Sequence, residues 1–207
     1  GSGTTTFDDT PFFNQGWVRV EKGTLRLDYG GAGSGRFEVA SNSTVYFSSG
    51  TMTIGSGGSL LGPGRVQVGG VLNFQGSSVE AGALDVLSGG SGTFGAPVNV
   101  SGAVSVSGTG VFSQSLTAGA LSVAGNGTFH GMVSAPGNGS LSGTATFNNS
   151  TILGVWNWTG SGSFNGPATV SGVTMSAGSM GGTNVVEVTN LVWTGGNLVG
   201  VGVTRVA

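Results

Sequence analysis

A phenylalanine closes a short alternating segment roughly every 18 residues through the middle of this chain, and that repeat constrains the fold more than any other feature. Phe74, Phe94, Phe112, Phe129, Phe147 and Phe164 follow one another at sequence intervals of 20, 18, 17, 18 and 17. The last five close the units Gly90-Ser91-Gly92-Thr93-Phe94, Gly108-Thr109-Gly110-Val111-Phe112, Gly125-Asn126-Gly127-Thr128-Phe129, Gly143-Thr144-Ala145-Thr146-Phe147 and Gly160-Ser161-Gly162-Ser163-Phe164. Runs such as Leu84-Asp85-Val86, Val104-Ser105-Val106 and Leu121-Ser122-Val123 lie just upstream and alternate with period two, as strands do. Upstream, Gly35-Arg36-Phe37 reads as part of the series. Phe37 and Phe74 are 37 apart, two steps, with Ile54 filling the middle. Trp158 and Trp193 are 35 apart, again two steps, and each opens a Trp-Thr-Gly triplet.

A period of about 18 residues, built of short strands and glycine turns, is one coil of a β-solenoid. A single coil cannot bury its inward face, but stacked coils bury a continuous core and satisfy each other's backbone groups. The expectation is therefore an all-β, single-stranded parallel β-solenoid of about eleven coils, right-handed by the parallel-crossover rule. At a strand spacing of about 4.8 Å it makes a rod roughly 50 Å long. Equivalent Phe rings form an internal ladder, while Ser113, His130, Asn148 and Asn165, each following a Phe, point outward. The glycines are expected at coil corners, supplying φ > 0.

Composition agrees. Of 207 residues 44 are Gly, which opposes long helices because each interior Gly costs about 1 kcal/mol relative to Ala. Glycine does not recur every third residue and there are only five Pro, so collagen is excluded. An apolar content of 37% with a net charge of −2 is not the composition of charged disorder. No apolar run approaches the ~18 residues of a membrane helix. With no Cys there is neither a disulfide frame nor a thiolate metal site, which fits a bacterial exported protein.

Two regions are expected: an N-terminal cap or junction over residues 1–20, aromatic and acidic, and one continuous solenoid over 21–207. Gly1-Ser2-Gly3 has the look of a cloning scar, with a leader missing. The last residues, Thr204-Arg205-Val206-Ala207, still alternate like a strand, so the chain is expected to be a segment of a longer array.

Charge is distributed unevenly. Between Asp85 and Glu187 there is no Asp, Glu, Lys or Arg, and His130 is the one readily titratable side chain there. Acid–base chemistry needs positioned carboxylates, His or Lys, so no catalytic residue is assigned. A carbohydrate-active β-helix enzyme, the usual catalytic use of such folds, is the unfavoured alternative. Calcium loops of the glycine–aspartate kind need Asp in every coil, whereas these loops carry Ser, Thr and Asn, so no metal or other cofactor is assigned. No basic cluster marks a nucleic-acid partner or a membrane surface. His130 reads as a lone surface histidine. Trp156, Trp158 and Trp193 read as core filling ahead of carbohydrate platforms. The residues preceding each Phe, taken as Arg36, Asn73, Thr93, Val111, Thr128, Thr146 and Ser163, are too irregular for a flat ice-binding threonine array. Asn-X-Ser/Thr sequons stand at Asn42, Asn99, Asn126, Asn138, Asn148, Asn149 and Asn157, glycan acceptors if the protein is eukaryotic and secreted.

The stretch Gly16-Trp17-Val18-Arg19-Val20-Glu21-Lys22-Gly23-Thr24-Leu25-Arg26-Leu27, then Gly33-Ser34-Gly35-Arg36-Phe37-Glu38-Val39-Ala40 and Ser49-Gly50-Thr51-Met52-Thr53-Ile54, resembles the Gly-rich repeats of filamentous haemagglutinin-like and autotransporter-type β-helical surface proteins. The resemblance runs from about residue 14 onward. It implies an extracellular, surface-anchored or secreted protein whose solenoid serves as stalk, adhesin or matrix component. The expected partners are neighbouring repeats or copies of itself end to end, and surface glycans or matrix. A self-assembling filament subunit and a phage or viral fibre segment stand as alternatives.

Overall fold

The computed structural model describes residues 3–207; Gly1 and Ser2, and with them most of the scar-like opening, lie outside the described residues. The fold is a parallel β-solenoid of eleven coils, each turning through three strands. In the first coil these are Thr4–Phe7, Phe12–Asn14 and Trp17–Val20, and they define three faces, here X, Y and Z. The segment set apart from the repeat as a cap or junction thus carries, from Thr4 on, strands in parallel register with the second coil: Phe7 opposite Leu27, Phe12 opposite Gly31, Val20 opposite Val39. On five coils the Z strand runs directly into the X strand of the next turn, as in Val98–Val106, where the register slips between Val100 and Ala103 to make the corner.

Alternation sorts the side chains. In Val98–Val106 the inward residues Val98, Val100, Val104 and Val106 are buried, while Asn99 and Ser101 are exposed. The core is one continuous column of such residues from Val20 to Val188.

The Y face carries the phenylalanine column. Ile54, Phe74, Phe94, Phe112, Phe129, Phe147 and Phe164 are paired in unbroken register. From Phe94 to Phe164 the five rings stack with centroids 4.9–5.1 Å apart and planes within 13° of parallel. The separation is that of neighbouring strands, so the coil rise itself sets the stacking distance. Each ring needs a small inward residue two positions earlier: a Cβ at Gly92 would approach Phe94 Cε2 to 2.8 Å. Above the ladder the volumes are exchanged, with Met180 inward on the strand whose last residue is Gly182.

Two expectations are corrected here. Phe37 does not belong to this column; it lies on the Z face between Val18 and Leu60. The column continues below Ile54 through Gly33 to Asn14, at sequence intervals of 21 and 19. The first coils are longer than the later ones, and counting back at the later period misses the slip. Asn14 is buried yet satisfied, donating from Nδ2 to the Arg36 carbonyl at 3.1 Å and accepting from the Gly16 amide at 3.0 Å.

The second correction concerns the corners between X and Y. Gly30, Gly50 and Gly178 do have positive φ, but Gly108, Gly125, Gly143 and Gly160 do not. These four are required by stacking, because a Cβ at each would fall on the carbonyl oxygen of the corner glycine one coil earlier. The polypeptide backbones approach too closely there for any side chain.

Candidate functional site

Polar side chains on this rod are organised by the coil repeat, which sets side by side residues that are one full turn apart in sequence. On the X face Arg26 Nε lies 2.6 Å from Asp28 Oδ1, and the Ser48 hydroxyl of the next coil donates to the same carboxylate oxygen. The Arg26 guanidinium sits 5.8 Å above the Tyr46 ring. The Ser48 hydrogen bond, and after it the Arg26 partner, hold the Asp28 carboxyl below its ordinary value, while hydrogen bonding and attraction to Asp28 raise Arg26. A carboxylate kept ionised in this way is a weak proton acceptor, and its role is to lock the corner. Farther along the same face Arg65 Nη1 lies 3.1 Å from Asp85 Oδ2 on the following coil.

The Z face of the first coils carries a second cluster. Arg19 and Arg36 lie 5.0 and 5.5 Å from the ring of exposed Trp17, and Arg36 Nη2 is 2.7 Å from Glu38 Oε2. Acids and bases alternate here and neutralise each other locally. Among the described residues, no three His, Asp or Glu side chains gather where they could hold a metal ion.

His130 is exposed, as its phase requires, and is the end member of an external ladder. Asn148 Nδ2 lies 3.2 Å from His130 Nδ1, and Asn165 Nδ2 donates to Asn148 Oδ1 at 2.9 Å. The sequence signal for this row is the polar residue following each Phe; reading the residues one at a time does not show that they bond to each other.

The three tryptophans part company. Trp156 and Trp158 are fully buried, 6.1 Å apart, with Trp158 also 5.9 Å from Phe164. Trp158 Nε1 donates to the Ser179 carbonyl at 3.0 Å, whereas Trp156 Nε1 has no partner. Trp156 occupies the space opposite Gly139, where a Cβ would strike its ring. Trp193 is in phase with Trp158 through Met175 and, on the last described coil, is 53% exposed. Trp156 and Trp158 thus fill the core.

All seven sequon asparagines are exposed. Asn99 and Asn157 lie within strands, Asn126 opens one, and Asn42, with φ 61°, sits at a corner. The residues preceding each phenylalanine of the column are partly exposed on the Y face; Arg36 is not among them, the Y-face position on its coil being Ala32, and Asn73 and Val111 still interrupt the row. Near the C-terminal end this face has a shallow trough of about 470 Å³. Gly181 and Gly182 form its floor, with Ser163, Asn165, Thr183 and Val199 around it. It is open and lined by no charged residue, and it lies where Gly181 takes the outward place of Ser163 on the preceding coil.

No helix among the described residues is long and apolar enough to cross a membrane, which bears on helical spans alone. Compared with known proteins, the chain matches no family model, no curated protein sequence and no solved structure.

Proposed function

We propose that this chain is a non-catalytic structural segment, a rigid extracellular rod within a surface-anchored or secreted protein that acts as stalk, adhesin or matrix component. The observation that carries this reading is the uninterrupted ladder: eleven coils in parallel register around one apolar core. In such a ladder each coil is held to the next by a set of parallel-strand hydrogen bonds that share an axial load, which suits a spacer. The outer columns supply the second part of the role. They are rich in Ser, Thr and Asn over the central coils and nearly free of charge, a surface fit for many weak contacts with glycans or matrix. The Gly-rich repeats shared in style with filamentous haemagglutinin-like and autotransporter-type proteins support the extracellular setting.

The test has two parts. Small-angle scattering of the isolated chain at low concentration is expected to give a stiff rod roughly 50 Å long, from eleven coils at about 4.8 Å. Immunogold electron microscopy of the native source is expected to place it on or outside the cell surface. A flexible scattering profile overturns the rod, and label confined to the cell interior overturns the extracellular role.

A further inference from the structure

The polar row outside the phenylalanine ladder has a direction. His130, Asn148, Asn165 and Thr183 each follow the last residue of a Y-face strand, on four successive coils. Asn165 Nδ2 donates to Asn148 Oδ1 at 2.9 Å, and Asn148 Nδ2 donates to His130 Nδ1 at 3.2 Å. At the far end the Ser163 and Thr183 hydroxyls both donate to Asn165 Oδ1, at 3.3 and 3.5 Å. Every donor thus points toward the imidazole, and His130 Nδ1 is the acceptor on which the row ends.

We infer that this row is a proton-sensitive switch: protonation of His130 reverses the direction of its hydrogen bonds over four coils, as far as Ser163 and Thr183. A protonated imidazole carries hydrogen on both ring nitrogens and accepts no hydrogen bond, so Nδ1–H and the Asn148 amide nitrogen face each other donor to donor. Turning the Asn148 carboxamide over brings Oδ1 to the ring and Nδ2 to Asn165. Asn165 then turns as well, giving Oδ1 to Asn148 and its two Nδ2 protons to Ser163 and Thr183. The reversal stops there, because a hydroxyl accepts as well as it donates. The row keeps the same number of hydrogen bonds with the opposite sense. Asn148 and Asn165 are both exposed, and the two ends of a carboxamide are nearly equal in size, so neither turn needs the coils to move.

The charge that sets the switch is the ring's own. Ser113 on the preceding coil and Asn148 on the following one are in register with His130, and no Asp, Glu, Lys or Arg lies between Asp85 and Glu187. No charged or second titratable group therefore faces the imidazole from the coils packed against it. Imidazole is also the side chain that ordinarily changes charge between about pH 5 and 8. The effect at the surface falls on the trough beside Gly181, whose lining includes Ser163, Asn165 and Thr183. With His130 neutral, the two hydroxyl protons are spent on Asn165 and the trough is offered oxygen lone pairs. With His130 protonated, Asn165 donates to those oxygens and the hydroxyl protons are released, so this rim changes from accepting to donating. The inference stands on the row's geometry and is independent of where the rod is located or what it spans.

The experiment is a titration of the 207-residue chain from about pH 8 to pH 5, with NMR of the His130 ring nitrogens and of the Asn148 and Asn165 side-chain amides. Both carboxamides are expected to shift with the same midpoint as the ring, while Asn157, outside the row, stays in place. Proton–proton contacts of Asn165 Nδ2 are expected to pass from Asn148 to Thr183. Two variants at exposed positions test the relay, each checked for fold by circular dichroism. Asn148→Ala cuts the row and leaves the ring free to titrate, so the Asn165 shift is expected to be lost. His130→Gln leaves an end that does not titrate, so neither amide is expected to respond. An Asn165 amide indifferent to the charge on His130 in the unsubstituted chain overturns the proposal. A response of Asn165 that survives Asn148→Ala overturns it too, since it is then a field effect, and so does a response that survives His130→Gln. None of these outcomes bears on the stiff rod, which scattering decides separately.

Discussion

The rings of Phe112 and Phe129 lie 5.1 Å apart with planes 10° from parallel, although the chain makes a full coil between them. Phe129 is held between two such neighbours, with Phe147 4.9 Å away on its other side. Phe129→Ala therefore removes a fully buried side chain and breaks the stack in the middle. The expected loss is about 3–5 kcal/mol, the usual range for Phe to Ala in a core. Urea unfolding followed by circular dichroism measures it; a loss below about 1 kcal/mol would mean that the ladder is not packed.

Close approach and backbone conformation make separable demands on glycine. Gly125 has an ordinary φ, yet a Cβ there meets the Gly108 carbonyl oxygen; Gly57 has φ +89° and open space around its Cβ position. Gly57→Ala is expected to cost about 1–2 kcal/mol from the left-handed conformation alone. Gly125→Ala is expected to cost more than the ~1–3 kcal/mol of ordinary overpacking, because the clashing atom is backbone on a stacked coil and cannot step aside. Thermal melting of the pair gives the order, and the reverse order would refute this account of the corners.

Asp28 makes the fold sensitive to acid. Its carboxyl is held below the ordinary value, so it binds a proton less readily in the folded than in the unfolded chain. The contribution is present above the unfolded value of about 3.9 and is lost as pH falls through the lower folded value. Melting curves from neutral pH down into the acid range are expected to show Asp28→Asn less stable than wild type at neutral pH. The gap is expected to close at the acid end. A gap independent of pH would point to packing instead of ionisation.

The external ladder specifies a tautomer. Asn148 Nδ2 carries only donors, so His130 Nδ1 accepts and the proton of the neutral ring resides on Nε2. Nitrogen chemical shifts of the neutral imidazole are expected to show the Nε2–H form in excess. Asn148→Ala is expected to shift that ratio toward the mixture of a free histidine. An unchanged ratio in the variant would mean that Asn148 does not hold the ring.

The two buried indoles predict unequal responses to the same substitution. Trp158→Phe takes away the donor to the Ser179 carbonyl as well as ring volume, while Trp156→Phe removes a buried N–H that has no partner. Trp158→Phe is expected to be the more destabilising, by about 1 kcal/mol for the lost hydrogen bond. Chemical denaturation of both variants decides it.

What could be read from the chain alone was whatever repeats: the coil, its parallel stacking, the inward phenylalanines from Phe74 to Phe164 and the outward set that includes His130. Period-two alternation assigns a side chain to a face, and the longer coil period assigns it a neighbour, so both survive without coordinates. Phe37 shows where this stops, because the longer early coils put Gly33 and Asn14 in the column instead. The three strands of a coil look alike in sequence, and corner length decides which face a residue joins. Trp193 shows the same limit on the last described coil, where the inward phase is right but burial also needs a coil on the far side. The corner glycines are a third case. Composition marks them as turns, while the reason no other residue fits at Gly108 or Gly125 is a carbonyl that the preceding coil brings against them, and only the stacked structure puts it there.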